Sequence, residues 1–283
     1  MKKTIYLTVL SLVTVFCIII GSIYHISGWI GFGLDNVFNF ITGDADSSLS
    51  RRNRVTYSEN INEFNKIKID TDSMNINIKK GDIFHLEYNC LENREPQFEV
   101  SGNTLDIKQP SARGWLRNHF NYKCDMTITI PSGTVLDSAD ITTDVGSLNI
   151  NNTECKDFNA ETDVGNIGIK SCTFEYSEIN SDVGNIEISS SELGKTNIET
   201  DTGDIDITKC GFKDIDIYND VGNVELYNNK INITNYTVDL STDLGSIKVN
   251  GEKHKRSFYQ AASGSSDTYN ISIETDIGNI KFD

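Results

Sequence analysis

The strongest constraint on this chain is a short motif that recurs at a fixed interval. The sequence TDVGSL at residues 143–148 returns in related forms whose aspartates are spaced 19, 19, 19, 19, 23 and 33 residues apart. The seven aspartates are Asp144, Asp163, Asp182, Asp201, Asp220, Asp243 and Asp276. A diverged earlier copy, DSMNI, lies at residues 72–76. A period of this size predicts stacked units, none of which can bury its apolar face alone.

Apolar residues alternate within each unit, which indicates strands rather than helices. They form three columns, at three residues before the aspartate, four after it and six after it. The columns are Ile141, Ala160, Ile179, Ile198, Ile217, Leu240 and Ile273; then Leu148, Ile167, Ile186, Ile205, Val224, Ile247 and Ile280; then Ile150, Ile169, Ile188, Ile207, Leu226, Val249 and Phe282. If each unit is one coil, these columns become aliphatic stacks with rungs about 4.8 Å apart. The repeat therefore predicts an all-β fold, a single-stranded β-solenoid (β-helix) with about 19 residues per coil.

The repeated Asp-x-Gly-Asn segment is interpreted as a turn. Glycine in the third place would supply the positive φ of a type II turn, and the aspartate would accept backbone N–H groups across it. Stacked carboxylates about 4.8 Å apart repel by roughly 3–4 kcal/mol per pair at an effective dielectric of about 20. Two interpretations stay open: a structural aspartate ladder, or a cation-binding ladder of Asp144, Asp163, Asp182, Asp201 and Asp220.

The composition limits the classes of partner and ligand that the chain can bind. The net charge of −16 argues against nucleic acid, because phosphate binding needs a basic face. The chain has six cysteines: Cys17, Cys90, Cys124, Cys155, Cys172 and Cys210. The repeat assigns the last three to the core, and whether Cys90 and Cys124 are bridged is left open. The sequence contains no CxxC pair and no Cys/His cluster, so we expect no zinc site and no cofactor.

The N-terminal residues predict the compartment. Lys2 and Lys3 precede an uncharged run from Thr4 to Tyr24, long enough for a transmembrane helix of about 20 residues. A cleaved signal peptide would have a shorter apolar core of roughly 7–15 residues and a small-residue cleavage site. We therefore expect an uncleaved single-pass anchor with a cytoplasmic N-terminus.

This anchor sets the domain boundaries that we expect. Residues 1–25 form the cytoplasmic stub and transmembrane anchor, and residues 26–54 form an interfacial segment and linker. Residues 55–283 form the extracytoplasmic solenoid, with the repeats clearest at 139–283. The last coil would end near residue 283 and leave an open strand edge, which invites pairing.

Four further stretches match a known pattern: FNKIKIDTD from residue 64, GDIFHLEY from residue 81, GNTLDIK from residue 102 and ITIPSGT from residue 128. With the repeats that follow, residues 62–283 resemble the bacterial "putative adhesin" domain of unknown function. The resemblance implies a β-helical domain behind a membrane anchor and, in some members, an accessory role in cell-envelope stress. It implies no catalytic residues.

No motif predicts an enzyme. A polysaccharide lyase or hydrolase would need clustered carboxylates beside a base or a second acid, whereas the repeated acids here belong to turns. Two insertions, 109–123 and 250–268, depart from the repeat, and loops on a rigid scaffold commonly carry binding. The residues expected to contact an anionic envelope component are Arg113, Trp115, Arg117, Phe120, Lys253, Lys255 and Arg256. The alternative is that both insertions are solvated loops with incidental charge.

The sequence thus favours a non-enzymatic, membrane-anchored extracytoplasmic binding or sensing scaffold, of the envelope-stress accessory type. A structural or adhesive cell-surface module is the alternative. The partners expected are the cell membrane, through the anchor, and either a membrane protein or an anionic envelope component.

Overall fold

The computed structural model describes residues 54–110, 124–264 and 268–283. The expected membrane anchor and nearly all of the interfacial segment lie outside these residues. Within them, no helix is long and apolar enough to cross a membrane. The predicted all-β class is confirmed: the described residues form a 12-stranded and an 11-stranded sheet, with helix limited to 3-10 turns at Glu92–Arg94 and Ile233–Asn235.

The strands fall into three groups along the chain. Seven precede the regular repeats: β1 (Arg54–Asn60), β2 (Lys66–Ser73), β3 (Asn75–Gly81), β4 (His85–Leu91), β5 (Gln97–Ser101), β6 (Thr104–Lys108) and β7 (Asp125–Pro131). Ten alternate between long and short: β8 (Val135–Val145), β9 (Leu148–Asn151), β10 (Glu154–Val164), β11 (Ile167–Lys170), β12 (Thr173–Val183), β13 (Ile186–Ser189), β14 (Glu192–Thr202), β15 (Ile205–Thr208), β16 (Gly211–Val221) and β17 (Val224–Tyr227). Six follow: β18 (Tyr236–Leu244), β19 (Ile247–Val249), β20 (Glu252–His254), β21 (Ser257–Gln260), β22 (Tyr269–Ile277) and β23 (Ile280–Phe282).

The regular part is solenoid-like. Each coil gives a long strand to the 11-stranded sheet and a short strand to the 12-stranded sheet, and all pairings between coils are parallel. Ala160 pairs with Ile141 on one side and Ile179 on the other, which is the 19-residue shift that the repeat predicts. All three predicted aliphatic columns are buried in one core between the sheets, where each aliphatic side chain contributes roughly 1.5–3 kcal/mol.

The predicted diverged copy is also confirmed. Strands β2 and β3 stack on β8 and β9, and Ile76 and Ile78 pair with Leu148 and Ile150. The cysteines Cys155, Cys172 and Cys210 are buried, as the repeat predicts.

The predicted role of the repeated glycine is wrong. Five of the seven corner glycines have φ outside the left-handed region, and Gly146 and Gly222, at 158° and 155°, are close to extended. The glycine is needed because the coils approach too closely for a side chain. A Cβ on Gly184 would lie 1.8 Å from the carbonyl oxygen of Gly165, and a Cβ on Gly165 would lie 1.9 Å from that of Gly146.

Left-handed residues recur at a different corner, eight residues after each of the first five aspartates. They are Asn152, Ser171, Ser190, Lys209 and Asn228, with φ between 53° and 58°. None is glycine, so this corner relies on residues that tolerate the left-handed region less readily, especially Lys209. Because the same bend recurs in each coil, it returns the chain from the short strand to the next long one.

Antiparallel strands close both ends of the stack. The outermost strands of the 12-stranded sheet are β1 and β20, and those of the 11-stranded sheet are β5 and β21. Each pairs antiparallel with its neighbour. Irregular end strands of this kind blunt the exposed edges of a sheet.

The expectation of an open edge at the last coil is wrong. Strands β22 and β23, which we call the interleaved coil, do not lie at the end of the stack. They sit between the coil of β16 and β17 and the coil of β18 and β19, which we call the outer coil. The interleaved coil is therefore paired on both sides, and the chain passes beyond its position before returning to fill it.

Candidate interaction face

The repeated corner between each long and short strand contains five equivalent positions on every rung, from the residue before the aspartate to the residue three after it. The residue before the aspartate is a buried Thr, Ser or Asn, and on five of the seven rungs its side chain donates to the carbonyl of the corner glycine in the neighbouring coil. On the first rung, Thr143 Oγ1 donates to Met74 O instead. Thr162 Oγ1 donates to Gly146 O at 3.2 Å, and Asn219 Nδ2 donates to Gly203 O at 2.9 Å. Thr200 differs, because its buried hydroxyl has no hydrogen-bond partner. This column ties each corner to the next.

The residue three after the aspartate makes a second ladder. Asn166 Oδ1 accepts from the backbone N–H of Asn185 at 2.9 Å, and Asn185 Oδ1 accepts from that of Asp204 at 3.0 Å. The same contact joins Asp204 to Asn223 at 2.7 Å. The side-chain acceptors for the cross-coil backbone N–H groups of the corner thus come from this position. They satisfy backbone donors where the ladder turns, which keeps the corner rigid.

The residue after the aspartate is apolar and exposed on five of the seven rungs; Val145 is half-buried, and Thr202 is exposed but polar. In the order of the stack, the side chains of this apolar column are Val145, Val164, Val183, Thr202, Val221, Ile277 and Leu244. Val164 and Val183 are each 49% exposed and Leu244 is 48% exposed. Singly exposed apolar residues are common on proteins, whereas exposed apolar residues grouped on one face are typical of interaction sites, so this row is the candidate site. The apolar column and the adjoining aspartates together make up what we call the corner face.

The aspartates give the corner face its charge. Burial raises the pKa of Asp163, with a further contribution from Asp182, and the pKa of Asp201 is raised by burial and by Asp220 and Asp182. The pKa of Asp144 rises to about 6, first through burial and then through a hydrogen bond with Asp72 and the charge of Asp163. Stacked carboxylates therefore repel one another, as the spacing predicts.

One cation sits at an end of the ladder. Arg94, which is 7% exposed, forms a buried ion pair with Asp72, and its Nη1 donates to Pro110 O at 3.1 Å. Within the described ranges, no group of three or more His, Cys, Asp or Glu side chains is arranged to hold a metal ion. The cation-ladder interpretation of Asp144, Asp163, Asp182, Asp201 and Asp220 stays a prediction.

The predicted interaction loops lie elsewhere. Arg113, Trp115, Arg117 and Phe120 fall outside the described residues. Lys253 is in β20, and Lys255 and Arg256 follow it; all three are exposed at the end of the stack. Strands β20 and β21 of the 250–268 insertion pair with the outer coil, and the backbone N–H of Thr242 donates to Arg256 O at 2.9 Å. This insertion is therefore an end cap carrying a basic surface, separate from the corner face.

Residues 64–275 match the Toastrack DUF4097 family, and the chain belongs to that family. No curated protein matches it.

Several solved structures are similar to this chain at low identity. One described as a putative adhesin from Bacteroides fragilis NCTC 9343 is 18% identical, covers 82% of this chain and 98% of its own, and has a TM-score of 0.44. One described as a putative cell adhesion protein from Clostridium sporogenes ATCC 15579 is 14% identical, covers 81% of this chain and 99% of its own, and has a TM-score of 0.38. One described as a putative lipid binding protein from Parabacteroides distasonis ATCC 8503 is 14% identical, covers 82% of this chain and 98% of its own, and has a TM-score of 0.37. Likeness at this level transfers no function.

Sequence reasoning listed the apolar column within the motif but did not assign it to the surface. The signal is a change of phase. Beside the corner, buried positions lie five, three and one residues before the aspartate and then four and six residues after it, so strict alternation breaks at the corner. A strand cannot change phase without a bend or bulge, and a bend here turns the residue after the aspartate outward.

Proposed function

We propose that this chain is a non-enzymatic binding scaffold of the cell envelope: a β-solenoid held outside the cytoplasm by an N-terminal transmembrane helix, acting as an envelope-stress accessory protein. The observation that supports this is the corner face. It combines a row of exposed, mainly apolar side chains with a parallel row of carboxylates on a rigid support. Such a surface is suited to holding a partner rather than to transforming it.

The chemistry of the corner face points to a basic, amphipathic helix in a partner membrane protein. Seven rungs at about 4.8 Å extend over about 29 Å, the length of a helix of about 19 residues. One apolar side chain per helical turn, every 5.4 Å or so, nearly matches the spacing of the rungs. Lysines or arginines beside that apolar stripe would meet the aspartates, and charge complementarity would select a cationic partner over an acidic one.

The test is crosslinking with mass spectrometry on intact cells that express the full-length chain. The test variant carries Val164→Ser, Val183→Ser and Val221→Ser on the corner face. The control variant carries Ile83→Ser, Val135→Ser and Tyr176→Ser, three residues of comparable exposure that lie elsewhere. We expect one membrane protein to be captured by the parent and the control, and lost from the test variant.

Capture of the same membrane protein by all three forms would contradict the use of the corner face. Binding of cells or wall material to the purified chain, without any captured membrane protein, would favour the adhesive alternative. Loss of such binding on replacing Lys253, Lys255 and Arg256 with glutamine would assign it to the basic end cap.

A further inference from the structure

Cys90 and Cys124 meet across an antiparallel pair of strands. Strands β4 and β7 pair with Asn89 opposite Asp125, and the same register places Cys90 directly opposite Cys124. Both side chains are buried, at 0% and 2% exposure, and their sulfur atoms are hydrogen-bonded to each other. Residues opposed in an antiparallel ladder have Cα atoms about 4.5–5.5 Å apart, within the 4.4–6.8 Å range that a disulfide spans.

The other three buried thiols have different neighbours. Cys155 Sγ donates to Asp157 O at 3.1 Å. Cys172 Sγ and Cys210 Sγ donate to the carbonyls of Lys170 and Thr208, each at 3.3 Å. Cys172 and Cys210 occupy equivalent positions two coils apart, roughly 9.6 Å, which is too far for a disulfide. Cys90 and Cys124 are thus the pair that the fold brings together within the described part of the chain.

A polar cluster surrounds Cys124 and makes the two thiols unequal. Gln109, itself buried, donates to Arg94 O at 2.9 Å and accepts from the backbone N–H of Ser73 at 2.8 Å. The hydrogen bond from Cys90 lowers the pKa of Cys124, assisted by the Leu91 backbone, the Gln109 side chain and the Arg94 guanidinium, and opposed by burial. Donating that hydrogen bond, together with burial, raises the pKa of Cys90.

We propose that Cys90 and Cys124 are a disulfide-forming pair, oxidised by a disulfide-bearing reagent as the domain folds. The crosslink would join the end of β4 to the residue just before β7. The loop that it closes contains β5 and β6, which lie in the other sheet, so the disulfide would fasten the irregular N-terminal end of the stack. This inference does not depend on the proposed binding function.

The chemistry is a two-step exchange. The Cys124 thiolate attacks one sulfur of glutathione disulfide, forms a mixed disulfide and releases one glutathione thiolate. Cys90 then gives up its proton to solvent or to a released thiolate and attacks the Cys124 sulfur, which releases the second glutathione. Two protein thiols and one glutathione disulfide become one protein disulfide and two molecules of reduced glutathione.

The experiment uses the full-length chain purified in detergent, treated with glutathione disulfide both in the folded state and during refolding from denaturant. Refolding is included because burial of both thiols slows attack on the folded protein. The free cysteines are then alkylated under denaturing conditions and mapped by mass spectrometry. We expect Cys90 and Cys124 to escape alkylation together and to appear as one crosslinked peptide, while Cys155, Cys172 and Cys210 are alkylated.

Two variants give this result a matched control. Cys172→Ser should leave the crosslink unchanged. Cys90→Ser removes the resolving thiol, so Cys124 should accumulate as its glutathione adduct. The oxidised parent should also unfold about 5–10 °C above the reduced parent, a shift expected from closing a loop of this length, and Cys90→Ser should lose that difference.

Full alkylation of Cys90 and Cys124 after oxidative refolding would overturn the proposal. Crosslinks distributed among Cys90, Cys124 and the core cysteines would overturn it as well, because they would show pairing without selection by the fold.

Discussion

From β8 to β17 each coil lies directly on the one before it in the sequence, whereas the last two coils stack in reverse order. The first coil, β2 and β3, stacks on β8 and β9 although four strands separate them in the sequence. The regular middle is held by columns of equivalent corners, each with a close glycine contact and cross-coil hydrogen bonds. The ends combine antiparallel strands, a buried ion pair, the cysteine pair and the basic cap. The repeat therefore specifies how any two coils fit together, and the irregular segments specify which coils meet.

The largest effect should come from removing the interleaved coil. A variant that ends at Thr268 lacks β22 and β23, so the outer coil loses its parallel neighbour in both sheets. We expect residues 230–268 to lose nearly all protection in hydrogen–deuterium exchange, because each unit of a stack depends on its neighbour. Residues 135–208 should keep their protection. Loss of protection across the whole chain would show that residues 135–208 do not stay folded without the interleaved coil.

A single methyl group added at a corner glycine should destabilise the folded chain nearly as much. Gly184→Ala places a Cβ against the backbone of Gly165, where no flexible side chain can give way. We expect a loss of about 3 kcal/mol or more in the free energy of unfolding, measured by denaturant titration. Gly168→Ala is the control, since its nearest neighbour is the Asn149 side chain at 3.1 Å, and it should change stability by less than about 0.5 kcal/mol. Equal effects would remove close approach as the reason for the corner glycine.

The threonine column offers a pair of variants that differ in one hydrogen bond. Thr162→Val removes a donor to Gly146 O and leaves that carbonyl with one contact fewer, which should cost about 1 kcal/mol. Thr200→Val removes a buried hydroxyl that has no partner, so it should be neutral or slightly stabilising. Thermal unfolding of the two variants against the parent measures the difference. A larger loss in Thr200→Val would contradict the assigned role of the column.

The smallest effect concerns pH at the end of the aspartate ladder. The pKa of Asp144 in the folded chain is about 6, above its value of about 3.9 in an unfolded chain, so the folded state binds more protons between these values. Its contribution to stability is therefore greatest at low pH and falls as the pH rises towards 6. Asp144→Asn should weaken this dependence and raise the unfolding temperature at pH 7. An unchanged dependence of stability on pH would show that solvent already screens the repulsion between the carboxylates.

Much of the regular part, β8 to β17, could be predicted because every unit must bury apolar residues at the same positions. Ile179, Ile186 and Ile188 alternate with polar residues at a fixed period, which is enough to assign strands, register and core. The role of Gly184 could not be inferred in the same way. A sequence shows that a side chain is excluded, but not whether dihedral angles or a neighbouring backbone excludes it.

The stacking order of the ends could not be predicted for a related reason. The aliphatic columns of different coils are nearly interchangeable, so Ile273 fits on Ile217 as well as Leu240 does. The spacings of 23 and 33 residues show that segments are inserted there, but not that the chain doubles back. The corner face could have been predicted from the sequence, because Val164 and Val183 lie where the alternation of buried and exposed positions changes phase. The pairing of Cys90 with Cys124 needed the register of β4 on β7.

The interleaved coil has a consequence for a polypeptide that is delivered N-terminus first. Residues 135–227 can assemble in the order in which they emerge, each new coil adding to a finished surface. The outer coil emerges next but has no finished surface to join, because its neighbour has not yet been delivered. The far end of the stack must therefore wait for residues 269–283, and a chain interrupted before them would expose two unsatisfied sheet edges to the quality-control machinery that recognises incomplete proteins.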